Sequence, residues 1–193
     1  IAGFILFQMA FRLGDFLMLN RPVNARVMVI EGYLPDYALL LAIDDFQKGG
    51  YTYIVTTGIP FTTGAMHCEY KNYPDLCKAT LVRLGIPACK VFSVPSAEAF
   101  RDRTFGSAMA LRRWFVSRGE RVPDFNLYSM GAHARRSHFL YRLAFKDLNT
   151  DIGVIAAPDL TFDSSRWWTS SKGFRTVPVE ALGYFFVLLF FHP

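Results

Sequence analysis

Apolar residues in this chain fall in short, nearly unbroken runs, separated by stretches with helical spacing. Residues 26–31 (Arg-Val-Met-Val-Ile-Glu) are one such run, β-branched and closed by Gly32, as expected of a strand buried on both faces. Pro35 opens a second kind of stretch, 36–48, in which Ala38, Leu41, Ala42 and Phe46 recur at helical intervals until Gly49-Gly50 stops it. The alternation then repeats. Strands are predicted at 53–56, 90–94, 125–129 and 152–156, and helices at 74–84, 104–118 and 134–145, with Thr104 as the cap of the middle one. Polar loops are predicted at 59–72 and 97–103. Strands alternating with helices of this length make β-α-β units. The prediction is therefore an α/β fold, a three-layer, doubly wound (Rossmann-like), mostly parallel sheet of about five strands.

The two ends depart from this rhythm. Residues 1–22 read as a membrane-proximal or interfacial helix ahead of a single domain at 23–193. Their apolar run is broken by Arg12 and Asp15, short of the roughly 20 apolar residues that a span requires. A first helix packed on the core is the alternative. Residues 184–191 (Tyr-Phe-Phe-Val-Leu-Leu-Phe-Phe) are apolar all round but too short to span. They should be buried against the domain, a partner subunit or a bilayer surface. Trp167-Trp168 suggests a lid, a sugar-stacking platform or an interfacial anchor, against core packing of one of the pair.

Composition narrows the partners. A chain of 193 residues with 52% hydrophobic content suits one folded domain and excludes disorder. The net charge of +5 is modest and its arginines are spread along the chain. That favours anionic small molecules or lipid headgroups and argues against nucleic acid. Cys68, Cys77 and Cys89 form no C-x-x-C pair, so no metal site is indicated. Free thiols are expected, with a Cys68–Cys77 bridge as the alternative.

The densest chemistry lies at 127–137, Leu-Tyr-Ser-Met-Gly-Ala-His-Ala-Arg-Arg-Ser. A strand ending in Ser129-Met130-Gly131 and passing into a basic helix brings free N–H groups to a ligand edge. His133 and Arg136 are three residues apart and share a helix face. In a parallel sheet the other carboxyl-end loops gather at the same edge. They supply Glu31 and Gly32, then Thr56, Thr57 and Gly58, then Arg101, Asp102, Arg103 and Thr104. Arg135 completes the basic turn. The predicted site binds phosphate or carboxylate. His133 is its proton donor or acceptor, Arg103 and Arg136 stabilise charge, and Ser129 positions the ligand. Ser129 lacks the Gly-x-Ser-x-Gly surroundings of a nucleophile. Asp102 is expected to pair with a neighbouring arginine, and Glu31 to orient an arginine, act as a base or bond backbone N–H groups.

These pieces resemble, in order, the bacterial SanA/ElyC/YdcF family. Thr56-Thr57-Gly58 takes the place of the family's Ser-Gly-Gly loop. Arg103-Thr104-Phe105-Gly106-Ser107-Ala108 takes that of its Asn-Thr-x-x-Asn-Ala helix start. The stretch 129–137 matches its Thr-Ser-x-x-His-x-x-Arg-Ala, with His133 and Arg136 at the same spacing. Ile59, Arg103 and Tyr73 replace a glycine, an asparagine and an acidic residue of that pattern. The resemblance covers about 26–157 and implies a Rossmann-like domain on the periplasmic side of the bacterial inner membrane, often behind an N-terminal anchor. It further implies envelope and peptidoglycan roles, a lipid-linked sugar or polyprenyl-phosphate ligand or, by one branch, S-adenosylmethionine. An aromatic C-terminal segment adds the expectation of an oligomer.

Overall fold

A computed structural model describes residues 11–97, 101–119 and 121–193. The expected apolar runs form five parallel strands: β1 (Val27–Glu31), β2 (Tyr53–Gly58), β3 (Val91–Pro95), β4 (Phe125–Met130) and β5 (Ile152–Ala157), in the order β3-β2-β1-β4-β5. Side chains alternate across the sheet, as the period of two requires. Val27, Val29, Val55, Phe125 and Leu127 face one core, and Met28, Ile30, Ile54 and Tyr128 face the other.

Helices cover both faces. A short α1 (Leu13–Leu17) precedes the sheet, and α2 (Asp36–Lys48) and α3 (Tyr73–Arg83) supply the second core with Ala38, Leu39, Ala42, Phe46, Cys77 and Leu81. On the first core lie α4 (Arg103–Ser117) and α5 (Ala134–Ala144), through Leu111, Phe115 and Tyr141. The chain therefore winds two β-α units to one side of β1 and then crosses to β4 on the other. This is a Rossmann-like three-layer α/β fold, and its winding reverses between β1 and β4.

Several boundaries move. Thr57 and Gly58, expected in a loop, are the last two residues of β2, and Ser129 lies inside β4 rather than at its tip. Thr104 is not a cap, because α4 begins at Arg103 behind Asp102, whose φ of 50° is left-handed. Asn72 caps α3 by accepting from the Asp75 N–H at 2.8 Å.

The largest revision is at the C-terminus. Residues 184–191, expected as a short buried segment, are mostly the end of a 20-residue helix, α6 (Ser171–Phe190), capped by Ser170. It is long and apolar enough to cross a membrane by length and composition. One face packs through Val177 and Ala181 on Leu17 and Trp167, forming a third cluster. The other leaves Leu182, Phe186, Leu189 and Phe190 exposed. Residues 1–10 of the expected N-terminal helix lie outside the described residues. All three cysteines are free, and burial pushes the Cys77 thiol up to about 12.

Candidate functional site

A cavity of about 640 Å³ opens at the carboxyl ends of β1 and β2, walled by the starts of α4 and α5 and by one side of α6. Its position at the switch in winding is where open α/β sheets hold ligands. Of the residues expected there, Glu31, Thr57, Gly58, Asp102, Arg103, Thr104, His133 and Arg136 line it.

The sheet supplies a fixed wall. Glu31, 5% exposed, ends β1 on the α4/α5 side. The Ser137 hydroxyl donates to its Oε1 at 2.8 Å, and Tyr33 (at 3.1 Å) and Ser129 donate to its Oε2. Tyr33 is 43% exposed as a whole, yet desolvation of its phenol at the cavity wall and the adjacent Glu31 carboxylate raise its pKa above the ordinary value. Thr57 pairs with the Tyr141 hydroxyl at 2.8 Å, and burial drives the Tyr141 pKa upward. Buried hydroxyls that each have a partner hold such a wall in one arrangement.

The facing wall is ionic. A 3₁₀ turn at Gly131–His133 carries the chain from β4 into α5, and Gly131 takes the positive φ, 41°, that the turn needs. His133 and Arg136 both project from there toward α6. Glu180 of α6 meets them. Its Oε2 is 3.0 Å from His133 Nδ1 and 2.9 Å from Arg136 Nε, and its Oε1 is 3.3 Å from Arg136 Nη2. Burial opposes ionisation of Glu180, but the hydrogen bonds and charges of His133 and Arg136 outweigh it and lower its pKa to about 2. His133 Nδ1 also lies 3.0 Å from Arg136 Nη2. A guanidinium only donates, so the two contacts on Nδ1 compete and the tautomer decides between them. His133 Nε2 faces the fixed wall, 3.8 Å from Glu31 Oε1.

Several expected residues stand elsewhere. Ser129 is fully buried and donates to Glu31, so it cannot position a ligand. Thr56 faces the opposite side of the sheet and donates to the Pro74 carbonyl at 2.9 Å. Gly32 backs onto the start of α3, where a Cβ would come within 2.9 Å of the Tyr73 carbonyl. Gly131 shapes its turn and does not line the cavity, and neither does the exposed Arg101. Arg135 donates to the Phe16 carbonyl and lies 3.7 Å over that ring, tying α1 to the body. Asp102 forms no ion pair with Arg101 or Arg103 among the described residues. Glu31 bonds hydroxyls rather than an arginine. Trp167 is buried in the third cluster, and neither tryptophan lines the cavity.

Sequence reasoning missed Glu180, Lys172, Tyr33 and Tyr141. A signal for Glu180 existed. It is the single acid of a 20-residue apolar helix, and an acid so placed is rarely left without a cation. No protein-family model, curated protein or solved structure matches this chain.

Proposed function

We propose that this protein binds a phosphorylated or otherwise anionic ligand at the carboxyl edge of its sheet, as a membrane-associated protein of the bacterial envelope. The observation that carries the reading is that His133 and Arg136 already grip a carboxylate, at 2.9–3.3 Å through three contacts. Charge-assisted, two-point contacts of this kind serve phosphate and carboxylate equally. Two further cations, Arg103 and Lys172, line the same cavity and form no ion pair among the described residues. The same cavity is also lined by the apolar Phe105, Leu140, Phe186, Val187 and Phe191. A ligand with a charged head and a greasy tail suits such a mixed lining, and a lipid-linked sugar or polyprenyl phosphate has that character. This agrees with what the resemblance to the SanA/ElyC/YdcF family implies, and the exposed side of α6 offers an apolar face to a membrane.

In phosphate-ester or pyrophosphate chemistry, His133 is the proton donor or acceptor, and Arg136 with Arg103 stabilises the phosphate charge. Ser129 takes no part, because its hydroxyl is committed to Glu31. Calorimetry with polyprenyl phosphate in detergent tests the reading. Binding should weaken about tenfold or more in Arg136→Ala, with His133→Ala slowing any phosphate release. Unchanged affinity and turnover in both variants would refute it. Heat with S-adenosylmethionine, and none with phosphorylated ligands, would replace it with a nucleotide-type site.

A further inference from the structure

The His133 and Arg136 side chains are already occupied by the chain itself. Glu180 gives them the two-oxygen contact that an incoming carboxylate or phosphate would give, and it comes from the last helix of the chain. One turn further along α6 is Gly183, and the Arg136 side chain lies against its bare backbone. A Cβ there would meet Arg136 Nε at 3.2 Å and Cδ at 3.3 Å. Glu180 and Gly183 therefore form a seat on α6 shaped for this one guanidinium.

The rest of α6 is lightly held. Only Gly173, Val177, Ala181 and Val187 are buried among its 20 residues, and Pro178 lies inside it, removing a backbone donor from the helix interior. Large side chains lie on the outer face, with Leu182 at 72% exposed and Phe190 at 68%. Apolar packing holds one face of the helix through Val177 and Ala181, and the ionic seat at Glu180 adds a polar contact beside it.

We infer that α6 is a built-in competitor, in which Glu180 holds the place of the ligand anion and an anion that takes up His133 and Arg136 unseats the helix. The inference rests on the anion-site reading above. Its physical basis is exclusion. Two anions on one partly buried guanidinium repel at contact distance, and the Arg136 N–H groups facing Glu180 cannot serve both. Ligand affinity is then reduced by the fraction of molecules whose seat is closed. Occupancy of the cavity and the position of α6 become two readings of one equilibrium.

The test is calorimetric titration of inorganic pyrophosphate into the full chain. Wild type is compared with Glu180→Gln, which keeps the shape and loses the charge, with Glu180→Ala, and with Arg136→Ala. Both Glu180 variants should bind about tenfold tighter than wild type, and Arg136→Ala should lose binding. Equal or weaker binding by the Glu180 variants, with loss in Arg136→Ala, overturns this inference and leaves the anion site standing, with Glu180 as an orienting partner of His133. No heat in any of the four proteins removes the anion site and this inference together.

Discussion

Glu31 and Glu180 are carboxylates on opposite walls of one cavity, and they are held by opposite means. Glu31 ends a central strand, and neutral hydroxyls from Tyr33, Ser129 and Ser137 donate to it. Two of those hydroxyls, Ser129 and Ser137, are fully buried in the core and fix Glu31 from behind. Glu180 rides on a half-exposed helix and is held by the His133 imidazole and the Arg136 guanidinium, with side-chain exposures of 16% and 24%. On the proposal above, an anion of suitable shape exchanges for it. The comparison teaches that one wall fixes the geometry of the site while the other answers to what enters it.

The contrast breaks first at Glu31. Glu31→Ala strips the acceptor from three hydroxyls, two of them (Ser129 and Ser137) fully buried. Chemical denaturation should show a loss of about 3 kcal/mol or more. Glu180→Ala, between partly exposed partners, should cost only about 1–2 kcal/mol. The reverse order would dissolve the distinction between the walls.

The glycines give a second, smaller contrast. In Gly32→Ala the new Cβ sits 2.9 Å from the Tyr73 backbone, which cannot move cheaply, so a loss of about 1–3 kcal/mol in thermal melts is expected. In Gly183→Ala the three atoms nearest the Cβ all belong to the Arg136 side chain. The gain in helix propensity offsets that shift, for a net change below about 1 kcal/mol. A large loss in Gly183→Ala would show α6 to be as rigidly seated as the strands. Between the two glycines, Ser129→Ala should lower stability by about 1 kcal/mol, measured as a shift in the denaturation midpoint.

The mildest effect is that of acid. The pKa of Glu180 falls from 4.5 to about 2 in the folded protein. An acid with a depressed folded pKa binds fewer protons when folded. Its contribution is complete above 4.5 and fades as pH falls toward about 2. Tryptophan fluorescence, with Trp167 and Trp168 packed beside α6, should report loosening in that window in wild type and a flatter profile in Glu180→Gln. Identical profiles would free the helix from its dependence on Glu180.

The fixed wall was far more legible in the sequence than the responsive one. Strands buried on both faces read as apolar runs, so all five were found within a few residues. The errors came where strands carry polar residues at their ends, since Thr57 and Gly58 read as loop and the fourth strand was ended at Ser129, although the ladder continues through Gly58 and on to Met130. The period of two also separates Thr57, which lines the cavity, from Thr56, which faces α3. On a helix, neighbours point about 100° apart, so Arg135 and Arg136 could not both face the site. Glu180 stands 44 and 47 residues from its partners. No local pattern shows what a lone acid meets across such a distance, and that contact decides the character of the cavity.

Amide hydrogen exchange on the full chain, with and without inorganic pyrophosphate, tests the contrast most directly. Slow exchange at 27–31 and 125–130 that pyrophosphate does not alter is expected, together with faster exchange at 174–190 that pyrophosphate accelerates. Protection of 174–190 by pyrophosphate, or exchange there as slow as in the strands, would contradict the account.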